Sequence, residues 1–477
     1  MSATTPAPPS GRVVAAGLLA IGLVLAAGAV NKLFLPAAAA LAGAGIMVLI
    51  VGSAFRTYIA VLGLHICLNT EQLGSVAIFA GPFRIRPDIV LMALVVLLWA
   101  TSSLEGRRSR VSGGLVGKLI AGLLALTAVG FFRGMASPSA EPEVVVIFLY
   151  ALGGYLMFYP LMWMLARTEN PLSKVLLMLV LFGGIAGLNY IMMGISGTGA
   201  DLYYRTTGLR IATRQPNAMA MILVLLTAVL WKDRRSAPPA ILAIPAGVVM
   251  VAAVLLCQTR GIWLGIAASI GLMFLLSLFK REREGSGAAK QVLSMLLFVG
   301  LVTLGIMLVG ALDLLSTGEL AQRAGGESGS LLTETSVITR YMAWGTVLDK
   351  AASSPIFGHG IGATVTFFHV SRGMMFTTNW VDGSLFQMLL MMGLLGVAVL
   401  SALYIAGIVD GARLFMSCRD RARSAMALGA TGSLVLVGVI SLTGSAATGY
   451  RFTVLWALPL AMIRYLRHLE RRSSRAG

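Results

Sequence analysis

Charged residues are scarce in this chain, and their scarcity excludes a soluble globular protein. Asp, Glu, Lys and Arg make up only 12% of the 477 residues, whereas a soluble domain carries about 25%. Hydrophobic residues reach 57%. We therefore expect a polytopic membrane protein, whose backbone polar groups must be satisfied by helices or by a closed barrel.

Cysteine is also rare, and its spacing excludes several kinds of site. Cys67, Cys257 and Cys418 lie far apart, with no Cys-x-x-Cys pair. Neither a disulfide framework nor a zinc site is indicated. The 4 histidines include no His-Glu-x-x-His motif. We expect inert thiols, no metal and no cofactor.

The net charge of +18 does not indicate a nucleic-acid partner. Most of the basic residues form short clusters between apolar segments, and a basic excess is expected of inner-membrane proteins. The basic residues are therefore interpreted as markers of membrane topology, that is, of which connecting segments face the cytoplasm.

Long continuous apolar runs are what the sequence does contain. Barrel strands would instead alternate over roughly ten residues, so we predict an all-α transmembrane helix bundle. Because a span needs about 20 apolar residues, we expect about 12–14 spans. The candidate spans are 13–30, 34–54, 57–80, 86–101, 115–132, 143–165, 173–194, 215–231, 238–256, 260–279, 291–312, 384–409, 424–444 and 449–466.

The chain divides into five predicted parts. A disordered cytoplasmic N-terminus covers 1–12, and the first part of the bundle covers 13–312. A large periplasmic loop follows at 313–383, then the last part of the bundle at 384–466 and a basic cytoplasmic tail at 467–477. The run 13–30 is interpreted as a span and not as a cleaved signal peptide, because a second apolar run follows at once.

The basic clusters orient the bundle. Six segments fall on one face if the N-terminus is inside, and they hold the majority of the 37 Lys and Arg residues. The positive-inside rule makes that face cytoplasmic. The six segments are "SSLEGRRSRVSGG", "RTENPLSK", "WKDRRSAPP", "KREREGSGAAK", "DGARLFMSCRDRAR" and "RYLRHLERRSSRAG".

A few arginines fall on the opposite, outer face, against the topological rule. They are Arg205, Arg210 and Arg214 in "RTTGLRIATRQPN", and Arg260 in "CQTRGIWLG". Arginine keeps its charge at a low-dielectric boundary, and its planar fork binds phosphate through two hydrogen bonds. The set is predicted to bind a diphosphate. The alternative is that each side chain snorkels to lipid head groups.

The outer loop contains a predicted amphipathic helix. Thr335 or Ser336 would cap its start, and Pro355 would end it. Its apolar face is predicted to consist of Val337, Tyr341, Trp344, Val347 and Leu348. The alternative to a functional role is a helix that lies on the membrane surface.

Asp382 begins the apolar run "DGSLFQMLLMMGLLG". One interpretation is a helix cap, and the other is a carboxylate at the membrane mouth that orients or deprotonates an acceptor hydroxyl. His359, between two glycines in "FGHGIG", is interpreted first as a turn residue.

Four segments together resemble the superfamily of bacterial inner-membrane polysaccharide polymerases and O-antigen ligases. "RTTGLRIATRQPNAMA" resembles the family's Arg-x-x-Gly segment before Pro-Asn, and "QTRGIWLG" resembles its Ser/Thr-Arg-Gly-x-Trp segment. "RYMAWGTVLDKAASSPIFGHGIG" resembles its Arg-x-x-x-Trp helix followed by Pro-x-x-Gly-x-Gly. "VDGSLFQMLLMMGLLG" resembles the start of the helix after the large periplasmic loop.

The resemblance implies transfer of a glycan from undecaprenyl diphosphate to an acceptor sugar at the periplasmic face. It implies that Arg260 and Arg205, or alternatively Arg210, engage the diphosphate. The family's ligases carry His at the position of Asp382, followed by Asn where this chain has Gly383. That departure favours a polymerase of O-antigen or exopolysaccharide repeat units over a ligase, and Asp382 is the candidate base.

The expected partners are the lipid-linked donor and acceptor, membrane lipid, a chain-length regulator and a flippase. A transporter of lipid-linked sugars is the rival outside the enzyme class, but its ionisable groups would lie near the bilayer midplane. Further candidate contacts to the acceptor glycan are the loop residues Arg340, Trp344, His359, His369, Arg372 and Trp380.

Overall fold

The structure of the protein is a computed structural model. It describes residues 54–67, 78–80, 83–85, 87–104, 111–137, 142–196, 202–205, 208–211, 215–284, 335–370, 373–449 and 452–476. The predicted N-terminal segment 1–12, the predicted spans at 13–30 and 291–312, and all but the last residue of the predicted span at 34–54 lie outside the described residues, as does 313–334 of the predicted loop.

Helices dominate the described residues, as the long apolar runs predict. The helices are α1 (Ala54–Cys67), α2 (Pro87–Leu104), α3 (Gly114–Met135), α4 (Pro142–Gly153), α5 (Phe158–Arg167), α6 (Pro171–Ser196), α7 (Gln215–Lys232), α8 (Ala240–Leu256), α9 (Arg260–Glu284), α10 (Thr335–Ala352), α11 (Ser384–Ser417), α12 (Arg421–Thr443) and α13 (Phe452–Ala476).

Short strands form antiparallel hairpins between some of the helices, which the sequence analysis did not predict. Each hairpin is a two-stranded ribbon. The strands are β1 (Ile78–Ala80), β2 (Phe83–Ile85), β3 (Leu202–Arg205), β4 (Gly208–Ile211), β5 (Val365–His369) and β6 (Met374–Thr378).

Seven segments of the described chain are long and apolar enough to cross a membrane. All of them coincide with predicted spans, so the multi-pass helical architecture is confirmed. The segments are Gly114–Met135, Val144–Arg167, Pro171–Ile195, Gln215–Lys232, Arg260–Lys280, Ser384–Ser417 and Arg421–Thr443.

The predicted span at 57–80 needs correction. The helix there is Ala54–Cys67, with 14 residues, and Ile78–Ala80 forms β1 instead of continuing it. The predicted span therefore does not continue as a helix to residue 80.

The predicted basic clusters meet at one end of the bundle, called here the basic end. Lys280 Nζ, near the end of α9, donates to the carbonyl oxygens of Phe415 and Cys418 at 2.8 and 2.7 Å and to Ser424 Oγ at 2.9 Å. Arg464 Nη1 binds Asp410 Oδ2 at 2.8 Å. These contacts join the C-terminal parts of α9, α11 and α13 to the start of α12.

Helices α9 and α12 run antiparallel from the basic end to the opposite end. Ser269 Oγ donates to the carbonyl oxygen of Gly432 at 2.8 Å. Near the far end, a Cβ on Gly261 would lie 2.7 Å from Thr443 Oγ1. Small residues let membrane helices approach this closely. The first residue of α9 therefore lies beside the last residues of α12.

The loop unit, defined as residues 335–383, packs against the start of α11. The predicted apolar face of α10 is partly wrong: Tyr341 and Leu348 are exposed. The buried residues of α10 are Thr339, Ala343, Val347 and Ala351, and of these Ala343 and Val347 share a cluster with Val365 and Leu390. Small side chains allow α10 to pack closely on the β5–β6 hairpin. This close packing, and not the hydrophobicity of the side chains, therefore determines which face of α10 is buried.

Helix α11 is interrupted at Gly393, where φ is 66° and ψ is −163°. A segment that follows α10, called here the wedge (residues 354–361), fills the interruption. The amides of Leu394 and Leu395 donate to carbonyl oxygens of the wedge at 2.8 and 3.3 Å, and two wedge amides donate back to α11. The backbone polar groups at the break are thus satisfied within the protein.

Candidate functional site

Arg260 is the first residue of α9 and is held there by a tight turn from α8. The amides of Ile262 and Trp263 donate to the carbonyl oxygen of Thr259. Trp263 Nε1 donates back to the carbonyl oxygen of Val254 at 3.1 Å. A cation is the unfavourable charge at a helix N-terminus, and an anion is the favourable one. An anion beside Arg260 would be stabilised by both the side chain and the helix end.

Asp382 forms an ion pair with the loop helix. Its Oδ2 accepts from Arg340 Nε at 3.2 Å, and both side chains are about half-exposed or less. The backbone carbonyl of Asp382 accepts from Trp344 Nε1 at 2.6 Å. The indole of Trp344 stacks on Phe386, with ring centroids 4.6 Å apart. Arg340 and Trp344 are therefore brought to Asp382 by one face of α10.

The interpretation of Asp382 as a helix cap is wrong. The N-cap of α11 is Gly383, at φ 92°, and no side chain caps the helix. A Cβ on Gly383 would lie 3.4 Å from both the carbonyl oxygen of Leu442 and Trp344 Nε1. The positive φ turns the chain so that the Asp382 carboxylate faces Arg340 and not the first turn of its own helix.

A polar turn between α12 and α13, residues 444–449, forms hydrogen bonds with the chain on both sides of Asp382. Ser384 N donates to the carbonyl oxygen of Gly444 at 3.1 Å, and Ser445 Oγ donates to that of Val381 at 2.8 Å. The amide of Ala447 donates to Ser384 Oγ at 3.0 Å. The sequence analysis missed this turn, although "TGSAATG" stands out as small and polar between two apolar runs.

The two leading site residues therefore meet the same corner of the bundle, the end of α12. Gly261, next to Arg260, lies against Thr443. Gly383, next to Asp382, lies against the carbonyl of Leu442. Residues more than a hundred positions apart in sequence are thus brought to one end of the molecule, opposite the basic end.

Arg205 and Arg210 lie in the β3–β4 hairpin, where a loop was expected. Arg205 is paired with Gly208, and Arg210 with Tyr203. Alternate positions of a ribbon share a face, so the positions of both arginines belong to one face by register. Arg214 lies outside the described residues.

The hairpin precedes α7, which runs antiparallel to α12: Gly429 lies against Leu225 and Gly432 against Val224. Helix α7 therefore starts, at Gln215, at the same end of the bundle as Arg260 and Asp382. The β3–β4 hairpin, with its two arginine positions, leads directly into that start.

The remaining candidate contacts do not gather at Asp382. His359 Nε2 lies 2.8 Å from the carbonyl oxygen of Lys350, as expected of a turn residue. His369 packs edge-on to Phe376 in the β5–β6 hairpin. Trp380 stacks on Phe148, with centroids 5.1 Å apart. Arg372 lies outside the described residues.

The described residues contain no group of three or more His, Cys, Asp or Glu side chains that could hold a metal ion. The three cysteines are buried and form no disulfide. The polar groups that converge at the end of α12 are thus arginines, one carboxylate and backbone carbonyls. Such a set can bind an anion and can accept a proton from a hydroxyl.

No protein-family model matches the chain, and comparison with curated proteins gives no match. Family membership therefore remains a hypothesis carried by the four quoted segments.

Proposed function

We propose that the chain is a membrane glycosyltransferase that polymerises undecaprenyl-diphosphate-linked repeat units into a surface polysaccharide. The observation that carries the proposal is that Arg260 and the Arg340–Asp382 pair lie at the same end of the bundle, each next to a glycine that packs against the last residues of α12. The family resemblance supplies the substrate class, and the convergence supplies a place where donor and acceptor can meet.

The proposed reaction needs one nucleophile and one leaving group. The acceptor hydroxyl oxygen attacks the anomeric carbon of the donor glycan, and a new C–O bond forms. The bond between that carbon and the diphosphate oxygen breaks, and undecaprenyl diphosphate leaves with the electron pair. The hydroxyl proton passes to the Asp382 carboxylate or to water.

Each side chain has a defined task in this reaction. Arg260, with the hairpin arginines Arg205 and Arg210, stabilises the negative charge that develops on the leaving diphosphate. Arg340 fixes the orientation of Asp382 through its Nε contact. Arginine charge at this position supplies the stabilisation that a divalent cation supplies in other diphosphate chemistry.

The rival functions are disfavoured by specific features. A ligase is expected to carry His where this chain has Asp382. A transporter is expected to place ionisable groups near the bilayer midplane. In the described part of the chain, the ion pair of Arg464 with Asp410 does not lie at that depth. It lies at the basic end of the bundle, with Lys280.

The site can be tested with purified protein and lipid-linked repeat units in EDTA. Arg260→Ala should reduce chain extension about 10²–10³-fold, the usual effect of removing one transition-state donor. Arg260→Lys should also reduce it, because lysine cannot form the two-point contact. Arg235→Ala, an exposed arginine at the basic end, is the matched control and should retain activity.

A thermal melt of each variant separates loss of activity from loss of fold. Full activity of Arg260→Ala and of Asp382→Asn would remove the site assignment. A deletion strain distinguishes the two transferases: single-unit capped lipid supports a polymerase, whereas long unattached lipid-linked polymer supports a ligase.

A further inference from the structure

The wedge carries large apolar side chains that nothing in the described part of the chain covers. Ile356 and Phe357 are 58% and 46% exposed. They follow Pro355 in a segment that the sequence predicts to be periplasmic and in water. Two adjacent exposed apolar side chains on a tight turn are an unusual feature of an aqueous loop.

These side chains continue the exposed apolar surface of two spanning helices. On α11, Leu394 and Leu395 are exposed, and their amides donate to the carbonyls of Pro355 and Ile356. On α3, Phe132 and Met135 are exposed as well.

Helix α3 is joined to the wedge by three contacts. The amide of Ile361 donates to the carbonyl of Gly130 at 2.8 Å. Arg133 Nη2 donates to the carbonyl of Gly358 at 2.8 Å and to Ser354 Oγ at 3.2 Å. The wedge therefore lies between α3 and α11, with its apolar side chains level with theirs.

The depth of the wedge follows from the charged groups at the basic end. Asp410, paired with Arg464, marks the basic edge on α11. Gly393 lies about 17 residues earlier and hence about 26 Å away along the helix axis. Arg464 Nη2 donates to the carbonyl of Ser112, just before α3. Helix α3 has 22 residues, or about 33 Å, and it meets the wedge in its last two turns.

A hydrocarbon core is about 30 Å thick, so both helices put the wedge at the far border of the core. Irregular backbone is tolerated at that depth only if its polar groups are satisfied by protein. Five of the seven wedge amides meet this condition, namely those of Ser354, Gly358, His359, Gly360 and Ile361. The amides of His359 and Gly360 donate to the carbonyls of Leu390 and Met391, and the amides of Leu394 and Leu395 donate to the wedge.

We infer that the wedge is a re-entrant element of the membrane, and that Ile356 and Phe357 contact the acyl chains of bilayer lipid. The wedge then anchors the loop unit in the bilayer, so the loop unit does not lie wholly in the aqueous phase. This inference does not depend on the proposed enzymatic function.

Site-directed labelling tests the inference in the full-length protein in vesicles. Ile356→Cys and Phe357→Cys are each labelled with an environment-sensitive fluorophore, since the three native thiols are buried. Quenching is measured with nitroxide groups on lipid acyl chains and with aqueous iodide. Ile405→Cys, exposed on the membrane-spanning part of α11, is the lipid-facing control, and Ser473→Cys, exposed on the basic tail, is the aqueous control.

The expected result is loss of fluorescence with the lipid nitroxides at 356 and 357, comparable with that at 405, and little loss with iodide. Quenching by iodide alone, as expected at 473, would overturn the inference because the wedge would then face water. Resistance to both quenchers would also overturn it, since protein and not lipid would then cover the wedge.

Discussion

At the residue scale, the contacts of Asp382 orient its carboxylate and contribute little to the free energy of unfolding. The Arg340–Asp382 pair is partly exposed, with side chains 34% and 48% accessible. Ion pairs of this kind contribute about 0–1 kcal/mol. The more deeply buried pair of Arg464 with Asp410 at the basic end is of the kind whose disruption destabilises a fold. Substitutions at Asp382 can therefore report on function without unfolding the protein.

Cys418 illustrates how a neighbouring carboxylate affects a buried thiol. Its Sγ lies 3.5 Å from Glu470 Oε2. Burial, and after it the charge of Glu470, raises the pKa of Cys418 from 9.0 to about 11. The unfolded thiol loses its proton at lower pH than the folded one, so the contribution to stability falls as pH rises from about 9 to about 11.

Glu470→Gln should lower the pKa of Cys418 and speed its alkylation at a fixed alkaline pH, because the thiolate is the reactive form. The rate should stay below that of an exposed thiol, since burial remains. Mass spectrometry of the Cys418 peptide after iodoacetamide treatment measures the rate, with Ser473→Cys as the exposed reference. An unchanged alkylation rate in Glu470→Gln would contradict the assigned role of the carboxylate.

At the element scale, the wedge and the interruption of α11 depend on glycine. Gly393 has φ 66°, and a Cβ there would clash with the Ile356 carbonyl. Gly358 has φ 64°, and a Cβ there would meet the backbone of α11. Positive φ is a conformation that glycine adopts at little cost. The two elements can therefore approach within hydrogen-bonding distance only because both residues lack a side chain.

Gly393→Ala should lower the melting temperature of the detergent-solubilised protein, because strain at positive φ adds to the clash with Ile356. The expected destabilisation is about 1–3 kcal/mol. Gly271→Ala is the matched control: Gly271 lies inside α9, and a Cβ added there would meet nothing within 4 Å. Ala is favoured over Gly in a helix by about 1 kcal/mol. Equal melting temperatures for Gly393→Ala and the wild type would show that the interruption tolerates a side chain.

At the scale of the whole molecule, the helices separate two chemically different ends. All six predicted cytoplasmic segments contribute described residues to the basic end, because antiparallel packing brings alternate connections together. Lys232 lies over the ring of Phe415, and Lys280 reaches the same helix end. The opposite end holds Arg260 and the loop unit. The charge asymmetry agrees with the positive-inside rule for a cytoplasmic basic end.

This orientation predicts which thiols an impermeant maleimide reaches. In sealed right-side-out vesicles, Thr377→Cys, exposed on β6, should be labelled at once. Ser473→Cys should be labelled only after the vesicles are permeabilised. The reverse order would place the basic end outside. Labelling of both sites in sealed vesicles would contradict a membrane between the two ends.

Much of the helical framework follows from the sequence alone. An apolar run of about 20 residues has few alternatives to a spanning helix, so the sequence predicts segments such as Pro171–Ser196 and Arg421–Thr443 to within a few residues. The end at which Arg260 lies also follows from the basic clusters, since each span reverses the direction of the chain. The sequence predicts the site only as a set of residues on one face.

Tertiary structure alone decided which of these residues meet and how. The pairing of Asp382 with Arg340, the buried face of α10 and the polar turn at 444–449 depend on contacts between distant segments, which leave no periodic pattern in the chain. The same holds for the wedge: the amides of His359 and Gly360 bind carbonyls that the interruption of α11 leaves open, and the amide of Ile361 binds the carbonyl of Gly130 in α3. Local hydrophobicity therefore determined where the helices lie in the sequence, and the need to satisfy buried polar groups determined how their ends are joined.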